Sequence, residues 1–292
     1  MATTTQAQRG AVLLTGAAGG IGAATIRRLD ALGFQVFAGV RKSSDGERLQ
    51  RDISVRITPV LLDITDDASI AQAAEIVTRA VGETGLVGLV NNAGIIVEGP
   101  VELVPIEEVR KQFEVNVIGH IAVTQAFLPL LRKARGRIIN IGAPTGLVSF
   151  PYLGMLSASK AALESVTDAL RSELRSFGIS VSLIEPGAMQ TEIFQKSAAS
   201  SQQVRQQLSG ELLQLYAPAL AAVAKTSASQ QLENPDVVVA AIVQALTSRS
   251  PKTRYFAGRG TRMIAVLRLL PDRARDGLLL RALGIANTQP VS

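Results

Sequence analysis

Short apolar runs alternate with helical stretches through most of this chain of 292 residues. The runs are apolar at nearly every position, which is typical of parallel strands buried on both faces of a sheet. Strands joined through helices form βαβ crossovers. The pattern therefore predicts an α/β fold with a doubly wound parallel sheet, the Rossmann fold. The predicted strands are AVLLT (11–15), FQVFAGV (34–40), VLL (60–62), GLVGLVNNAG (85–94), GRIINIG (136–142), ISVSLIEPG (179–187) and TRYFAG (253–258).

The composition excludes several kinds of site. The chain has no cysteine, so it has no disulfide, no thiolate metal site and no cysteine nucleophile. His120 is the only histidine, and no metal site is predicted. A hydrophobic share of 47% excludes intrinsic disorder. The first ten residues lack the apolar core of a signal peptide and no apolar run predicts a membrane span, so we expect a cytoplasmic protein.

A glycine-rich segment, TGAAGGIGAATIRRL (15–29), follows the first predicted strand and opens a helix. Gly16 permits a tight turn, while Gly20 and Gly22 let the backbone and the helix approach a pyrophosphate at the helix N-terminus. Ile21 lies between these two glycines. The T-G-x-x-x-G-x-G spacing, placed between a strand and a helix, predicts a dinucleotide-binding loop.

Further motifs follow the glycine loop: Asp63, Asn91-Asn92-Ala93-Gly94, Asn116, Ser157-Ala158-Ser159-Lys160, Pro186-Gly187 and Thr191. With this set the chain resembles the short-chain dehydrogenase/reductase family from about residue 10 to residue 258. The resemblance implies that Asp63 contacts adenine and that Asn92, Ala93 and Gly94 line the cofactor site. It also implies that Lys160 binds the nicotinamide ribose, and that Pro186, Gly187 and Thr191 border the nicotinamide end.

The charge at the end of the second predicted strand indicates which cofactor is bound. An acidic residue there would bind the ribose hydroxyls of NAD. This chain instead has Val40 followed by Arg41 and Lys42. Two cations without a carboxylate suit a 2′-phosphate, so the predicted cofactor is NADP(H), with Arg41 and Lys42 among its binding residues.

The chain departs from the family at its catalytic residues. The resemblance implies a tyrosine that moves the substrate proton, one helical turn before the lysine, and a serine that holds the substrate oxygen. Asn116 and Lys160 match the family, but Leu156 stands four residues before Lys160. Ala143 follows the fifth strand where the serine belongs. Both hydroxyls are missing, and Ala143 and Leu156 are predicted to line the substrate pocket.

Other side chains are candidates for the missing role. Tyr152, which precedes the predicted helix over 152–177 or lies at its start, is expected either to line the substrate pocket or to act as the acid. Thr145 and Ser149 follow the fifth strand and could bind an oxygen. His120 shares a helical face with Asn116 and could join a proton relay, although we expect it at a surface or an interface. The candidate catalytic residues are Asn116, Lys160 and Tyr152.

One domain is predicted over residues 1–258, because no linker or internal repeat divides it. It contains a helical insertion at about 190–232 on the substrate side. Residues 259–292 form a basic amphipathic extension that packs on the same domain. Between residues 249 and 281 nine arginines and lysines stand against two aspartates. We expect this tail to cap the substrate pocket, and the alternative is contact with an anionic membrane surface. No recognition motif accompanies the charge, so nucleic acid is not an expected partner.

The leading hypothesis is an atypical NADP(H)-dependent oxidoreductase that reduces an activated C=N, C=C or C=O bond of an apolar small molecule without a tyrosine acid. Two alternatives stay open. One is a non-catalytic NADP(H)-binding sensor or partner subunit, and the other is a non-redox isomerase or lyase on the same fold. The family resemblance also implies a homodimer or homotetramer formed through the helices at 105–134 and 152–177.

Overall fold

A seven-stranded sheet forms the centre of the computed structural model, which describes residues 9–193, 210–286 and 288. Each predicted strand is present within a few residues of its expected bounds. The strands are β1 (Ala11–Leu14), β2 (Gln35–Val40), β3 (Thr58–Leu61), β4 (Leu86–Asn91), β5 (Arg137–Ile141), β6 (Ser180–Pro186) and β7 (Arg254–Ala257). All neighbours pair in parallel, in the order β3-β2-β1-β4-β5-β6-β7. The predicted Rossmann fold is confirmed, and the strand order reverses between β1 and β4.

Helices cover both faces of this sheet. They are α1 (Gly20–Ala31), α2 (Ser43–Asp52), α3 (Asp67–Val81), α4 (Ile106–Phe113), α5 (Gly119–Ala134), α6 (Gly154–Glu173), α7 (Gly210–Ser229), α8 (Asp236–Thr247), α9 (Thr261–Leu267) and α10 (Asp272–Ala282). Helix α2 is not evident in the sequence, because its residues are mostly polar and it buries only Gly46 and Leu49. The side chain of Asp66 caps α3 by accepting a hydrogen bond from the Ala68 amide at 3.0 Å.

The predicted helix over 105–134 consists of three segments. Between α4 and α5 the chain forms a π-helical turn, Glu114–Ile118, and the helical path continues through it. The whole stretch Ile106–Ala134 is apolar and long enough to cross a membrane, yet 50% of its apolar window is buried inside the fold. We interpret it as a core helix, because its buried side chains pack on the sheet.

Alternate side chains of the central strands pack into two separate hydrophobic cores, one on each face of the sheet. On β1, Val12 and Leu14 face a cluster that includes residues of α1 and α8. Leu13 points to the opposite face, where it joins Phe37 of β2 and Phe127 of α5 in a second cluster. Because the side chains of β1 are buried on both faces, this strand is apolar at every position.

The insertion and the tail meet above the carboxyl ends of the strands. The Thr226 hydroxyl of α7 donates to the Leu283 carbonyl, just beyond α10, at 3.2 Å. Helix α9 packs against a turn of 3-10 helix, Pro144–Gly146, which follows β5. The part of the predicted insertion at 194–209 lies outside the described residues.

A buried charge cluster anchors the edge strand β7. Arg254 of β7 bonds to Glu185 of β6 and to Glu164 of α6. The Glu185 side chain is fully buried, and burial raises its pKa to about 7 even though the charge of Arg254 lowers it. The cluster therefore fixes β7 to its neighbours only while Arg254 compensates the two carboxylates.

Replacing Arg254 with methionine is expected to lower the free energy of unfolding by about 3–5 kcal/mol, because two buried carboxylates lose their partner. Urea denaturation at alkaline pH, above the pKa of Glu185, measures this loss. The loss should shrink as the pH falls through neutral to acid values, where protonation removes the charge of Glu185. Lys252→Met, an exposed cation two residues away, is the matched control. A loss below about 1 kcal/mol for Arg254→Met would contradict the role given to this cluster.

Candidate active site

The glycine loop is packed so closely that it excludes side chains at two positions. Gly16 has a φ of +65°, and a Cβ there would lie 2.8 Å from the Ala93 Cα. A Cβ on Gly22 would lie 2.4 Å from the Gly16 carbonyl oxygen. Both contacts are shorter than any real Cβ contact, so glycine is required at each position. The loop, the start of α1 and the segment after β4 therefore meet at the cleft that an open α/β sheet forms where its strand order reverses.

The first turn of α1 presents free backbone amides to this cleft. The helix begins at Gly20 without a side-chain cap and without an acidic residue in its first turn. Ile21 lies half-buried in that turn. The leading amides of a helix are unpaired and carry a partial positive charge, which favours a bound phosphate. Thr191 closes the same turn from the other side, since a Cβ on Gly20 would lie 2.6 Å from its Cγ2.

The segment after β4 is tied to the glycine loop by hydrogen bonds. The Asn92 side-chain amide donates to the carbonyls of Thr15 and Gly16 at 3.0 and 3.1 Å. The backbone amides of Asn92 and Ala93 donate to the Thr15 hydroxyl at 3.0 and 3.1 Å. Gly94 follows, and a Cβ there would lie 4.0 Å from the Lys160 Nζ. Asn92, Ala93 and Gly94 thus lie between the glycine loop and Lys160.

The predicted cofactor-selecting residues lie at the carboxyl ends of β2 and β3. Arg41 and Lys42 follow β2 directly and are exposed. Asp63 follows β3 and accepts hydrogen bonds from the amide and hydroxyl of Thr65 at 3.0 and 2.7 Å. Partial burial raises the pKa of Asp63, but the hydrogen bonds from Thr65 and the charge of Arg41 together lower it by more. The net shift of the pKa is therefore downward. The carboxylate is therefore ionised and faces a cation.

Lys160 lies at the centre of the candidate catalytic residues. Its Nζ donates to the Ile141 carbonyl at the end of β5, at 2.7 Å. Burial lowers the pKa of Lys160 to about 8. Leu156 is buried one helical turn earlier on α6, and Ala143 opens the turn at Pro144–Gly146. The lysine is in place, while the two neighbouring positions present only apolar side chains.

Asn116 lies in the π-helical turn and holds the segment after β4. Its Oδ1 accepts from the Ile95 amide at 2.9 Å, and its Nδ2 donates to the Ile95 carbonyl at 3.0 Å. Gln112 donates to the same carbonyl and to the Ser159 hydroxyl at 3.0 and 3.1 Å. Asn116 also donates to Ser159, at 3.3 Å. No role is evident from the sequence for Gln112, which belongs to no recognised motif, or for Ser159, which lies in the motif at 157–160. Their contact joins two helices that are far apart in the sequence.

The expectation that His120 lies at a surface or an interface is wrong. The ring is 2% exposed, and its Nε2 lies 2.6 Å from the Ala93 carbonyl. Burial, followed by the positive charge of Lys160, lowers the pKa of His120 to about 3. The imidazole is therefore neutral and donates from Nε2. Its Nδ1 has no hydrogen-bond partner among the described residues.

The three residues that could replace the missing hydroxyls differ in how far they are buried. Tyr152 precedes α6 and has a φ of +66°, which is unusual for a bulky residue. Burial raises its pKa. The Thr145 hydroxyl, two residues after Ala143, is buried without a hydrogen-bond partner in the described part of the chain. Ser149 is exposed, so it does not face the interior of the site.

The nicotinamide end predicted from Pro186 and Gly187 adjoins the tail. Pro186 ends β6, and the Gly187 amide donates to the Ala257 carbonyl at 2.8 Å. A Cβ on Gly187 would lie 3.3 Å from Cγ2 of Thr261, the first residue of α9. Among residues 9–193, 210–286 and 288, no group of three histidine or carboxylate side chains is arranged to hold a metal ion.

The sequence of this chain matches a known family and several of its members. The model of the short chain dehydrogenase family matches residues 10–202. The chain is 37% identical over 278 residues to dehydrogenase/reductase SDR family member 9 of Bos taurus, covering 92% of this chain and 87% of that protein. It is 34% identical over 277 residues to an NADPH-dependent 3-dehydrocapnine reductase of Ornithobacterium rhinotracheale, covering 93% and 96%.

Solved structures agree with the fold. A short chain dehydrogenase from Burkholderia cenocepacia, solved in complex with NADP, matches with a TM-score of 0.72 at 27% sequence identity. The match covers 92% of this chain and 97% of that one. The shared architecture therefore extends beyond the dinucleotide-binding half of the sheet.

Gly22→Ala is expected to weaken NADPH binding by about tenfold or more, because the new Cβ pushes against the Gly16 carbonyl and overpacking of this kind costs about 1–3 kcal/mol. A fluorescence titration with NADPH measures the affinity, and circular dichroism checks that the variant is folded. Gly277→Ala, where the added methyl group meets no atom within 4 Å, is the control. Equal affinity in the Gly22 variant and the wild type would show that the cleft is not the cofactor site.

Proposed function

Because this chain belongs to the short-chain dehydrogenase/reductase family, a family of oxidoreductases, we propose that it uses NADP(H) to reduce an activated bond of an apolar small molecule. The bond is a C=N, a conjugated C=C or an activated C=O. One observation carries the proposal. The glycine loop and Lys160 are in place, while Leu156 and Ala143 supply no hydroxyl beside that lysine.

The residues present fit a dinucleotide. The amides of Gly20 and Ile21 would hold the pyrophosphate, because the first turn of α1 offers no competing acidic group. Arg41 and Lys42 would bind the 2′-phosphate, and Asp63 the adenine. The loop at 92–94 and Thr191 would enclose the nicotinamide half. When bound, NADPH supplies the hydride.

Lys160 would bind the cofactor and would also deliver a proton to the substrate. With a pKa of about 8, lowered by burial, its ammonium is mostly charged at neutral pH yet able to release a proton. In that state it can donate hydrogen bonds to ribose hydroxyls and can return a proton to the reduced substrate directly or through water. Asn116 would position the segment after β4, since both its amide atoms bond to the backbone of Ile95.

The Thr145 hydroxyl is a further candidate for contact with substrate. It is buried beside Ala143 and has no partner among the described residues, and an unpaired buried hydroxyl is costly unless a ligand or water completes it. Tyr152 would line the same pocket. Tyr152 lies near Tyr216 of α7, whose pKa is raised by its hydrogen bond to Glu102, by burial, by the charge of Glu102 and, least, by ionised Tyr152.

The loss of the tyrosine limits the chemistry. General acid catalysis typically contributes about 10²–10⁴-fold to a rate. An iminium carbon needs no acid, because it is already positive before the hydride arrives. A conjugated enone can take its proton from water after the hydride has been transferred. A simple ketone has neither advantage, so it should be a poor substrate.

The surface near the start of α6 would suit an apolar ligand. Val101 lies beside Gly154 at the start of α6, where a Cβ on the glycine would lie 3.0 Å from Val101 Cγ2. Val101 is 65% exposed, and Leu215 of α7 is 45% exposed next to Tyr216. These exposed aliphatic side chains, beside the start of α6 and on α7, would favour a substrate that buries apolar surface on binding.

Replacing Arg41 and Lys42 together with alanine is expected to weaken NADPH binding by about tenfold to a hundredfold, because charge-assisted bonds to the 2′-phosphate are lost. NADH lacks that phosphate, so its affinity should be unchanged. Fluorescence titration measures both cofactors. Arg27→Ala/Arg28→Ala, an exposed basic pair on α1, is the control. A parallel loss of NADPH and NADH binding would contradict the assignment of NADP(H).

The function itself is tested by NADPH oxidation with a cyclic iminium, a conjugated enone, a quinone and a simple ketone. We expect turnover with activated substrates and almost none with the ketone, and Lys160→Met should abolish turnover. Binding of NADPH without any turnover would overturn the reductase proposal in favour of a sensor or partner subunit. Product formation without NADPH consumption would instead indicate an isomerase or lyase.

Restoring the family's hydroxyls sharpens this test. The variant Ala143→Ser/Leu156→Tyr should raise ketone reduction by about 10²–10⁴-fold, the usual contribution of a positioned acid. Ala143→Ser/Leu156→Phe carries a similar ring without the phenolic hydroxyl and is the matched control. Equal ketone activity in the two variants would show that the missing proton donor does not limit the reaction.

A further inference from the structure

An exposed apolar ridge runs along α9 and the residue just after it. Met263, Val266 and Leu269 are 66%, 60% and 82% exposed. Their three-residue spacing places them on one side of the helical path, and the Leu269 amide bonds to the Val266 carbonyl at 3.0 Å. Three adjacent aliphatic side chains in water form an interaction surface rather than scattered surface residues.

Arginines surround this apolar ridge. Arg259, Arg262, Arg268 and Arg273 are all exposed. Among residues 9–193, 210–286 and 288, the ion pairs of the tail involve Arg254, Arg259 and Arg275, and Arg262 and Arg273 form none. Arg268 also forms no ion pair there, although its charge acts on the buried Glu185. The surface therefore combines exposed apolar side chains with uncompensated positive charge.

The apolar ridge also lies beside the candidate active site. Helix α9 packs against Pro144–Gly146, the turn that follows Ala143. Its first residue, Thr261, adjoins Gly187 at the predicted nicotinamide end. The helix that carries the apolar ridge on its outer side therefore forms part of the wall behind the pocket.

We propose that this surface docks on an anionic lipid bilayer, which would hold the pocket wall formed by α9 close to the membrane. The apolar ridge would insert among the acyl chains near the headgroups, and the arginines would contact the lipid phosphates. A second copy of the chain is a poorer occupant. A two-fold contact would place the same patch against itself and bring unpaired arginines of like charge together. An anionic bilayer matches both the apolar and the charged parts of the surface.

Vesicle co-sedimentation tests this proposal with the full-length protein. The vesicles are phosphatidylcholine alone, or an equimolar mixture of phosphatidylcholine and phosphatidylglycerol. Wild-type protein should bind the mixed vesicles, bind phosphatidylcholine weakly, and dissociate as salt is raised. Light scattering on the same samples without vesicles reports the oligomeric state.

Two variants separate the contributions of the surface. Met263→Ser/Val266→Ser/Leu269→Ser removes the apolar ridge and should lower vesicle partition by about tenfold or more. Arg262→Gln/Arg273→Gln removes two cations, each contributing about fivefold near an anionic surface, so partition should fall by about 25-fold. NADPH titration confirms that each variant remains folded and binds cofactor.

Matched controls come from the rest of the surface. Val55→Ser/Leu61→Ser/Ile76→Ser removes three exposed aliphatic side chains near the opposite edge of the sheet, and Arg27→Gln/Arg175→Gln removes two exposed cations. Both should bind mixed vesicles like the wild type. The proposal is overturned if wild-type protein ignores the mixed vesicles or if the apolar-ridge variant binds them equally well. It is also overturned if the wild-type protein is a dimer that does not bind the vesicles and the apolar-ridge variant is a monomer. The surface would then be a subunit interface.

Discussion

The close approach of the glycine loop to the segment after β4 is the constraint on which the site depends. The Gly16 Cα has room for no side chain beside Ala93, and the Asn92 amide bonds to the two carbonyls that start the loop. This contact joins the two halves of the sheet at the point where the strand order reverses, which is where open α/β sheets bind ligands. It fixes the first turn of α1, with its free amides, relative to the lysine on α6.

From that contact the polar framework extends to Lys160. Asn116 and Gln112 hold the backbone after Gly94, and Ser159 joins them from the helix that carries the lysine. His120 supports the same segment through the Ala93 carbonyl. The framework that positions the lysine is thus complete, although the two hydroxyls expected beside it are replaced by Ala143 and Leu156. A site kept in this form favours a reaction in which orientation and hydride transfer matter more than proton donation.

Much of the fold could be predicted from the sequence because buried parallel strands leave an unambiguous apolar signature. The five inner strands follow it, whereas the edge strands β3 and β7 are only partly buried. Asp66 caps α3. Helix α2 left no such signature, since it packs only a small part of its surface on the sheet. The π-helical turn at Asn116 and the positive φ of Tyr152 were also unpredictable, because both depend on the tertiary packing of this site.

The glycine loop, Asn92 and Lys160 could be found as motifs, because their spacing follows from the geometry of a strand, a turn and a helix. His120 could not be assigned correctly, since a lone histidine on a helix gives no sign of which face is covered. Gln112 and Ser159 meet only after residues 47 positions apart are brought together. Their role in holding the backbone beside Lys160 can be assigned only from their contacts in the structure.

The proposed reduction by NADPH is tested most directly by following the hydride into the product. The enzyme would be supplied with NADPH carrying deuterium at the transferable position, together with an iminium or enone substrate, and the product examined by mass spectrometry and NMR. Reduction by NADPH would place one deuterium at the former iminium carbon or at the β-carbon of the enone, with an equivalent amount of NADP⁺ formed. Product without deuterium, or NADPH left unconsumed, would contradict it.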